Sequence, residues 1–164
     1  MKPTPIPPQP GQESVWDYPR PACLEDVSQP IRVISQGIVL AETNRGKRVL
    51  ETSHPPTYYI PSEDIKLECL IPTPRKTWCE WKGRCQYYDA IVEGKHLNCA
   101  AWRYIEPTSP FLAIQDYYGF YASVMDACYL GEEHVKARPG GYYGGWITKN
   151  IVGPFKGGAG TMGW

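Results

Sequence analysis

Proline and glycine punctuate this chain too often for any long helix. Seventeen prolines and sixteen glycines are spread over 164 residues; each proline removes a backbone donor, and each glycine weakens a regular element from within. Between them lie short runs rich in Val, Ile, Thr, Tyr and Trp, the composition of strands bounded by turns. The chain reads as all-β, in compact twisted antiparallel sheets. At this length it forms one domain able to bury roughly two-thirds of its unfolded surface, and no metal or disulfide is needed for folding.

The strands are expected from Ile31 onward. Ile31, Val33, Ile38 and Leu40 alternate around Ser35-Gln36-Gly37, the pattern of a hairpin or bulged ribbon. A turn at Asn44-Arg45-Gly46 leads into Lys47–Thr52, Ser53-His54-Pro55-Pro56 breaks the ladder, and Thr57–Pro61 resumes it. Ser62-Glu63-Asp64 reads as a cap or turn, Ile65–Ile71 as a strand or short helix, and Pro72-Thr73-Pro74 as a corner. Asp89–Val92 and His96–Tyr104 flank a Glu93-Gly94 turn and predict another hairpin. For Phe111–Tyr129 the dense rings and the interrupting Gly119 favour strand over helix.

Thr77–Tyr88 is open to two readings. As one straight strand it places Cys79, Trp81, Cys85 and Tyr87 on one face, with the two sulfurs too far apart to bridge or share a metal. As a hairpin about Lys82-Gly83 it brings the two sulfurs close together.

Residues 1–30 form a proline-rich arm with Pro3, Pro5, Pro7, Pro8, Pro10, Pro19 and Pro21, extended and polyproline-like. Trp16 and Tyr18 within it predict docking on the body or on a second subunit. Residues 31–130 form the β domain, and 131–164 a glycine-dense arm with embedded rings. This second arm is expected to pack on the domain or to exchange between subunits, giving a homo-oligomer. Its Lys156-Gly157-Gly158-Ala159-Gly160-Thr161 run fails the phosphate-loop spacing, since no lysine precedes Thr161.

Seventeen basic residues balance seventeen acidic ones. Duplex DNA and anionic membrane, which need a net basic footprint, are thereby disfavoured as main partners. No apolar run approaches a membrane span and no leader-like segment opens the chain, so the expected setting is the cytoplasm with reduced thiols. The six cysteines form no CxxC pair, and no metal or other cofactor is expected.

Val49-Leu50-Glu51-Thr52, Pro56–Pro61, Cys79-Glu80-Trp81-Lys82-Gly83, Tyr87-Tyr88, Ala101-Trp102-Arg103-Tyr104, Pro107 and Phe120-Tyr121 together resemble the family catalogued as domain of unknown function 427. The likeness runs over about Ile31–Tyr129. Gly141–Thr148 and Gly153–Gly158 look like the tail of that family's longer form. The resemblance implies a β-tent-like fold similar to methionine-R-sulfoxide reductases and the cereblon ligand-binding domain. Relatives of that fold commonly hold zinc through CxxC knuckles, which this chain lacks. A nucleotidyltransferase label also attached to the family finds no Gly-Ser with Asp-x-Asp here, nor a pair of close aspartates.

Three groups carry candidate chemistry. Cys79 is a candidate nucleophile if Lys82 or His54 lowers its thiol pKa, set against an inert core cysteine. A zinc site there would need Cys69, Cys99, His54 or His96 to converge with Cys79 and Cys85. Glu51 and His54, three residues apart beside a Pro-Pro bend, are a candidate acid/base pair, with Asp89, Glu106 and Asp126 weaker candidates of the same kind. Tyr58, Tyr59, Trp81, Lys82, Tyr88, Trp102, Tyr104 and Trp146 are candidate lining for a flat or cationic small molecule; the alternative is an aromatic core. The functional expectation is a small-ligand-binding β domain, set against an enzyme using Glu51/His54 or Cys79 and against a structural or oligomerisation module.

Overall fold

The structure, a computed structural model, describes residues 2–139 and 143–164. Gly140, Gly141 and Tyr142, part of the glycine-dense arm, lie outside the described residues. Among the described residues the regular elements are strands and short 3-10 turns, so the all-β expectation holds.

Two sheets make up the body. The larger has seven strands: β2 (Cys23–Asp26), β5 (Lys47–Leu50), β6 (Thr57–Pro61), β10 (Tyr117–Phe120), β9 (Lys95–Pro107), β8 (Gly83–Val92) and β7 (Leu70–Cys79), in that spatial order. The smaller has four, in the order β12 (Glu133–His134), β11 (Ala127–Leu130), β3 (Ile31–Ser35) and β4 (Ile38–Thr43). Two short ladders tie in the arms: β1 (Glu13–Ser14) runs parallel to β15 (Ile151–Val152), and β13 (Lys136–Ala137) pairs with β14 (Trp146–Ile147).

The hairpin turns form where the expected residues allow left-handed backbone. Gln36 and Gly37 have φ of 53° and 73°, and Glu93 and Gly94 of 48° and 76°, the paired positive values that match the twist of the flanking strands. Thr77–Tyr88 is a hairpin, not a straight strand: Cys79 pairs with Gly83 and Thr77 with Cys85. The turn is Glu80-Trp81-Lys82, centred on Trp81 rather than on Lys82-Gly83. Cys79 and Cys85 are thus diagonal neighbours and both are free thiols. Gly83 is required there: at φ 111°, an added Cβ would lie 2.1 Å from the Glu106 carbonyl oxygen.

Two other expectations change. Pro72-Thr73-Pro74 is no corner but lies within β7, where the register slips between Pro72 and Lys76. The prolines have no N–H to give the ladder, and side chains replace it: Gln86 Nε2 donates to the Thr73 carbonyl at 2.6 Å and Thr73 Oγ1 to the Tyr87 carbonyl at 2.9 Å. Phe111–Tyr129 divides into a 3-10 turn ending at Ile114, β10, a run of turns and β11. Within it the strand spans only Tyr117–Phe120.

The large sheet is buried on both faces. Tyr58, Ile60, Tyr88, Ala90, Val92 and Phe120 join Ile31, Val33, Leu40 and Leu130 of the small sheet in one cluster. On the other face Val49, Tyr59, Cys85, Tyr87, Trp102 and Tyr104 meet Phe111, Ile114 and Tyr121. Among the described residues this second face is covered by the 3-10 turn Ser109–Ile114 and loops rather than by a sheet.

Candidate functional site

The loop after β5, Glu51–Pro56, holds the first polar group, and the two arms clamp it. Ser53, a non-glycine residue at φ 73°, donates its N–H to the Val15 carbonyl at 2.9 Å and accepts from the Lys156 N–H at 2.9 Å. Such a left-handed position persists only when its surroundings over-determine it. Pro56 accepts from the Trp146 N–H at 2.9 Å, and the Thr52 N–H donates to the Pro19 carbonyl at 3.0 Å. Trp16 of the N-terminal arm donates from Nε1 to the Pro154 carbonyl at 2.9 Å, so the two arms also hold each other.

This clamp fixes a charged chain. His54 Nδ1 lies 3.1 Å from Arg138 Nη1, and His54 Nε2 lies 3.4 Å from Glu51 Oε2. A guanidinium only donates, so Nδ1 is the acceptor and the imidazole proton sits on Nε2, facing Glu51. Burial, followed by the charges of Arg138, Lys156 and Lys82, pulls the His54 pKa down to about 3. The ring is therefore neutral, and its 3.4 Å contact with Glu51 is not an ion pair. Tyr143 closes the chain, edge-on to His54 at 5.0 Å and under the Arg138 guanidinium at 4.6 Å.

Arg138 is 5% exposed. Nη2 donates to the Lys156 carbonyl, and Nε has no hydrogen-bond partner among the described residues. Burial lowers its pKa to about 10, which still leaves it cationic at neutral pH.

Beside this chain lies a cleft of about 300 Å³ against the second face of the large sheet. Its floor is Tyr59, Trp102, Tyr104 and Tyr121, and the hairpin tip Trp78–Lys82 forms one wall. The Trp102 indole packs tightly on two glycines: a Cβ on Gly119 would lie 2.3 Å from Cζ2, and one on Gly144 2.2 Å from Cη2. Trp102 Nε1 donates to Tyr59 Oη at 3.2 Å. Burial raises the phenol pKa values of Tyr59 and Tyr104, keeping both neutral. At the tip, the Trp81 carbonyl accepts from Thr108 Oγ1 at 2.5 Å and the Lys82 carbonyl from the Thr108 N–H at 2.9 Å, while Lys82 Nζ reaches to 5.7 Å from the Tyr104 ring. Cys79 and Cys85 also reach the wall, and burial pushes the Cys85 thiol up to about 12.

Of the side chains singled out from the sequence, Glu51, His54, Tyr59, Cys79, Trp81, Lys82, Trp102 and Tyr104 line this cleft. Tyr58, Tyr88 and Trp146 are elsewhere, in the core between the sheets. Tyr58 stacks on Trp146 at 5.3 Å and Tyr88 meets Tyr118 edge-on at 5.2 Å. Asp89 has a structural position. It accepts the Cys99 N–H at 2.8 Å and lies 2.8 Å from His96 Nε2, capping a bulge where Cys99 has φ of 50°. Among the described residues no three of His, Cys, Asp and Glu converge as a metal cluster would. The sequence reading missed Arg138, Tyr143 and Lys156, whose signal was faint: isolated cations and a ring in a glycine-rich strap.

A family model described as Domain of unknown function (DUF427) matches residues 23–131, about two-thirds of the chain. A search of curated proteins finds no match. Among the described residues, no helix is long and apolar enough to cross a membrane.

Proposed function

Because the chain belongs to the DUF427 family, described as a domain of unknown function, we propose its function from the cleft: a small-ligand-binding domain that takes a flat ring against Tyr59, Trp102 and Tyr104. The carrying observation is one recess, about 300 Å³, in which neutral aromatic walls meet a fixed polar chain at one end. That size lies at the small end of ligand clefts, and such sites combine mostly apolar walls with a few placed polar groups.

The state of His54 favours binding over acid/base catalysis. A general base needs a free nitrogen and a pKa near the working pH. Here Nδ1 accepts from Arg138 and Nε2 faces Glu51, so the imidazole acts as a spacer that orients both charged partners.

Thermal denaturation of the whole protein against a metabolite panel tests the reading. A ligand at about a hundred times its Kd adds about 2.7 kcal/mol of stability, a Tm rise of roughly 5–10 °C at this chain length. Trp81→Ala, at the hairpin tip, is expected to fold and to abolish that rise. A rise that is undiminished in Trp81→Ala places the ligand elsewhere and removes the proposal.

A further inference from the structure

The cleft is built from two parts of the chain with opposite charge. Within the span that matches the family, its ionisable lining is Glu51, Glu80 and Lys82, with His54 neutral, so this portion is net negative. Glu80 is exposed to solvent, whereas Glu51 is largely covered. The C-terminal arm, outside that span, then adds Arg138 and Lys156. With them the sign of the recess reverses.

The donors also outnumber the acceptors. A guanidinium carries five N–H groups. Arg138 places one on His54 and one on the Lys156 carbonyl, and its buried Nε has no partner among the described residues. Lys156 Nζ has a 3.4 Å contact to the Trp164 main-chain oxygen and lies 5.9 Å from the Tyr143 ring. Lys82 lies over the Tyr104 ring in the same way. Among the charged lining, Glu51 and the exposed Glu80 stand against these three cations, a surplus of one. A buried guanidinium with an N–H left over, beside a net positive lining, is satisfied by an anion with several acceptor oxygens.

From this, and resting on the reading of the cleft as a ring-binding site, we infer that the ligand is an anionic aromatic: a flat ring bearing a carboxylate or phosphate, its charge met by Arg138 and Lys156 of the C-terminal arm together with Lys82. The family-matched domain supplies the floor for the ring, and the arm supplies selectivity for the anion.

Isothermal titration of the whole protein with four naphthalene probes separates the claims: 2-naphthoate, 2-naphthyl phosphate, 2-naphthamide and 2-naphthylmethylammonium. One or both anions are expected to bind at least tenfold more tightly than the amide, and the tighter of the two identifies the oxyanion. Lys156→Gln is expected to weaken the preferred anion by roughly ten- to a hundredfold, the loss of one charge-assisted hydrogen bond, and to leave the amide unchanged. Lys95→Gln, on the turn at the far end of the β8–β9 ribbon, removes the same charge and is expected to change neither.

Equal binding of anion and amide, or preference for the ammonium, overturns the anion inference and leaves the ring site standing. An anion preference that survives Lys156→Gln overturns the role given to the arm. Failure of all four probes to bind removes the ring site and the inference with it.

Discussion

Tyr58 and Tyr59 are chain neighbours on β6, yet they belong to different chemical worlds. Tyr58 points into the space between the two sheets, 3% exposed and stacked on Trp146. Tyr59, 1% exposed, points to the other face, where its hydroxyl accepts from Trp102 on the floor of the cleft. The first face is sealed by a second sheet whose Ile31, Val33 and Leu40 fill it as aliphatic cores do. The second is covered by loops, a 3-10 turn and a glycine-rich arm, which close around its rings without filling the space. One face secures the fold, and the other uses that stability to hold a recess open.

The sharpest way to break this contrast is to open the sealed face. Trp146 is 1% exposed and donates from Nε1 to the Phe120 carbonyl at 3.0 Å. Trp146→Ala leaves a cavity and an unpaired carbonyl, with an expected loss of about 3–5 kcal/mol in urea unfolding. The loss should be global, since β14 also anchors the loop that carries His54 through Pro56.

On the open face the largest effect should come from adding atoms. Gly119→Ala and Gly144→Ala each drive a methyl into the Trp102 indole. Each is expected to cost about 1–3 kcal/mol, the range for overpacking. Both should displace the ring and so weaken ring binding in calorimetry, which Trp146→Ala tests only by unfolding the whole. If either alanine leaves stability and binding unaltered, Trp102 is not tightly packed and the floor is not rigid.

The two faces were unequally legible in the sequence. Hairpins at Gln36-Gly37 and Glu93-Gly94 could be read because their cause is local: a residue pair that tolerates positive φ between alternating runs. The site loop was legible for the same reason, since two prolines after His54 must interrupt a ladder. The period of two also separates Tyr58 from Tyr59, and Tyr87 from Tyr88, so no single sheet face can hold both members of either pair. What local patterns do not carry is the covering of each face. The pairing of β3 with β11 joins residues about a hundred apart along the chain, and the arrival of Arg138 and Lys156 at the cleft depends on a strap with almost no periodicity. The bulge at Cys99 was hidden as well, because its cap is the Asp89 side chain rather than a backbone partner.

A pH dependence distinguishes the polar end of the cleft from the rest of the fold. The His54 pKa is about 3 when folded, against an ordinary value of 6.5. The unfolded chain therefore takes up the proton first. The stabilisation from holding the ring neutral is complete above about pH 6.5 and is lost as pH falls from there towards 3. The slope from this one group is about 1.4 kcal/mol per pH unit. Between pH 6.5 and 5.5, before most carboxylates titrate, urea midpoints should fall in the wild type and hold steady in His54→Asn. A wild-type curve that is flat over that interval would show that the ring is not kept neutral by burial.

The smallest stability effect is expected at the hairpin tip, and it is the most informative about the open face. Trp81 is half-buried on the cleft wall, and the tip is tied down through its backbone carbonyl and that of Lys82 rather than through the indole. Removing the ring in Trp81→Ala should therefore change unfolding by about 1 kcal/mol or less, while removing one side of the space a bound ring would occupy. Stability and binding are coupled on the sealed face, where every large side chain is also a structural contact. At Trp81 they come apart. A stability loss as large as that of Trp146→Ala would mean that the tip is core and the recess beneath it is a packing gap; near-native stability with ring binding lost would mark it as a wall built for a guest.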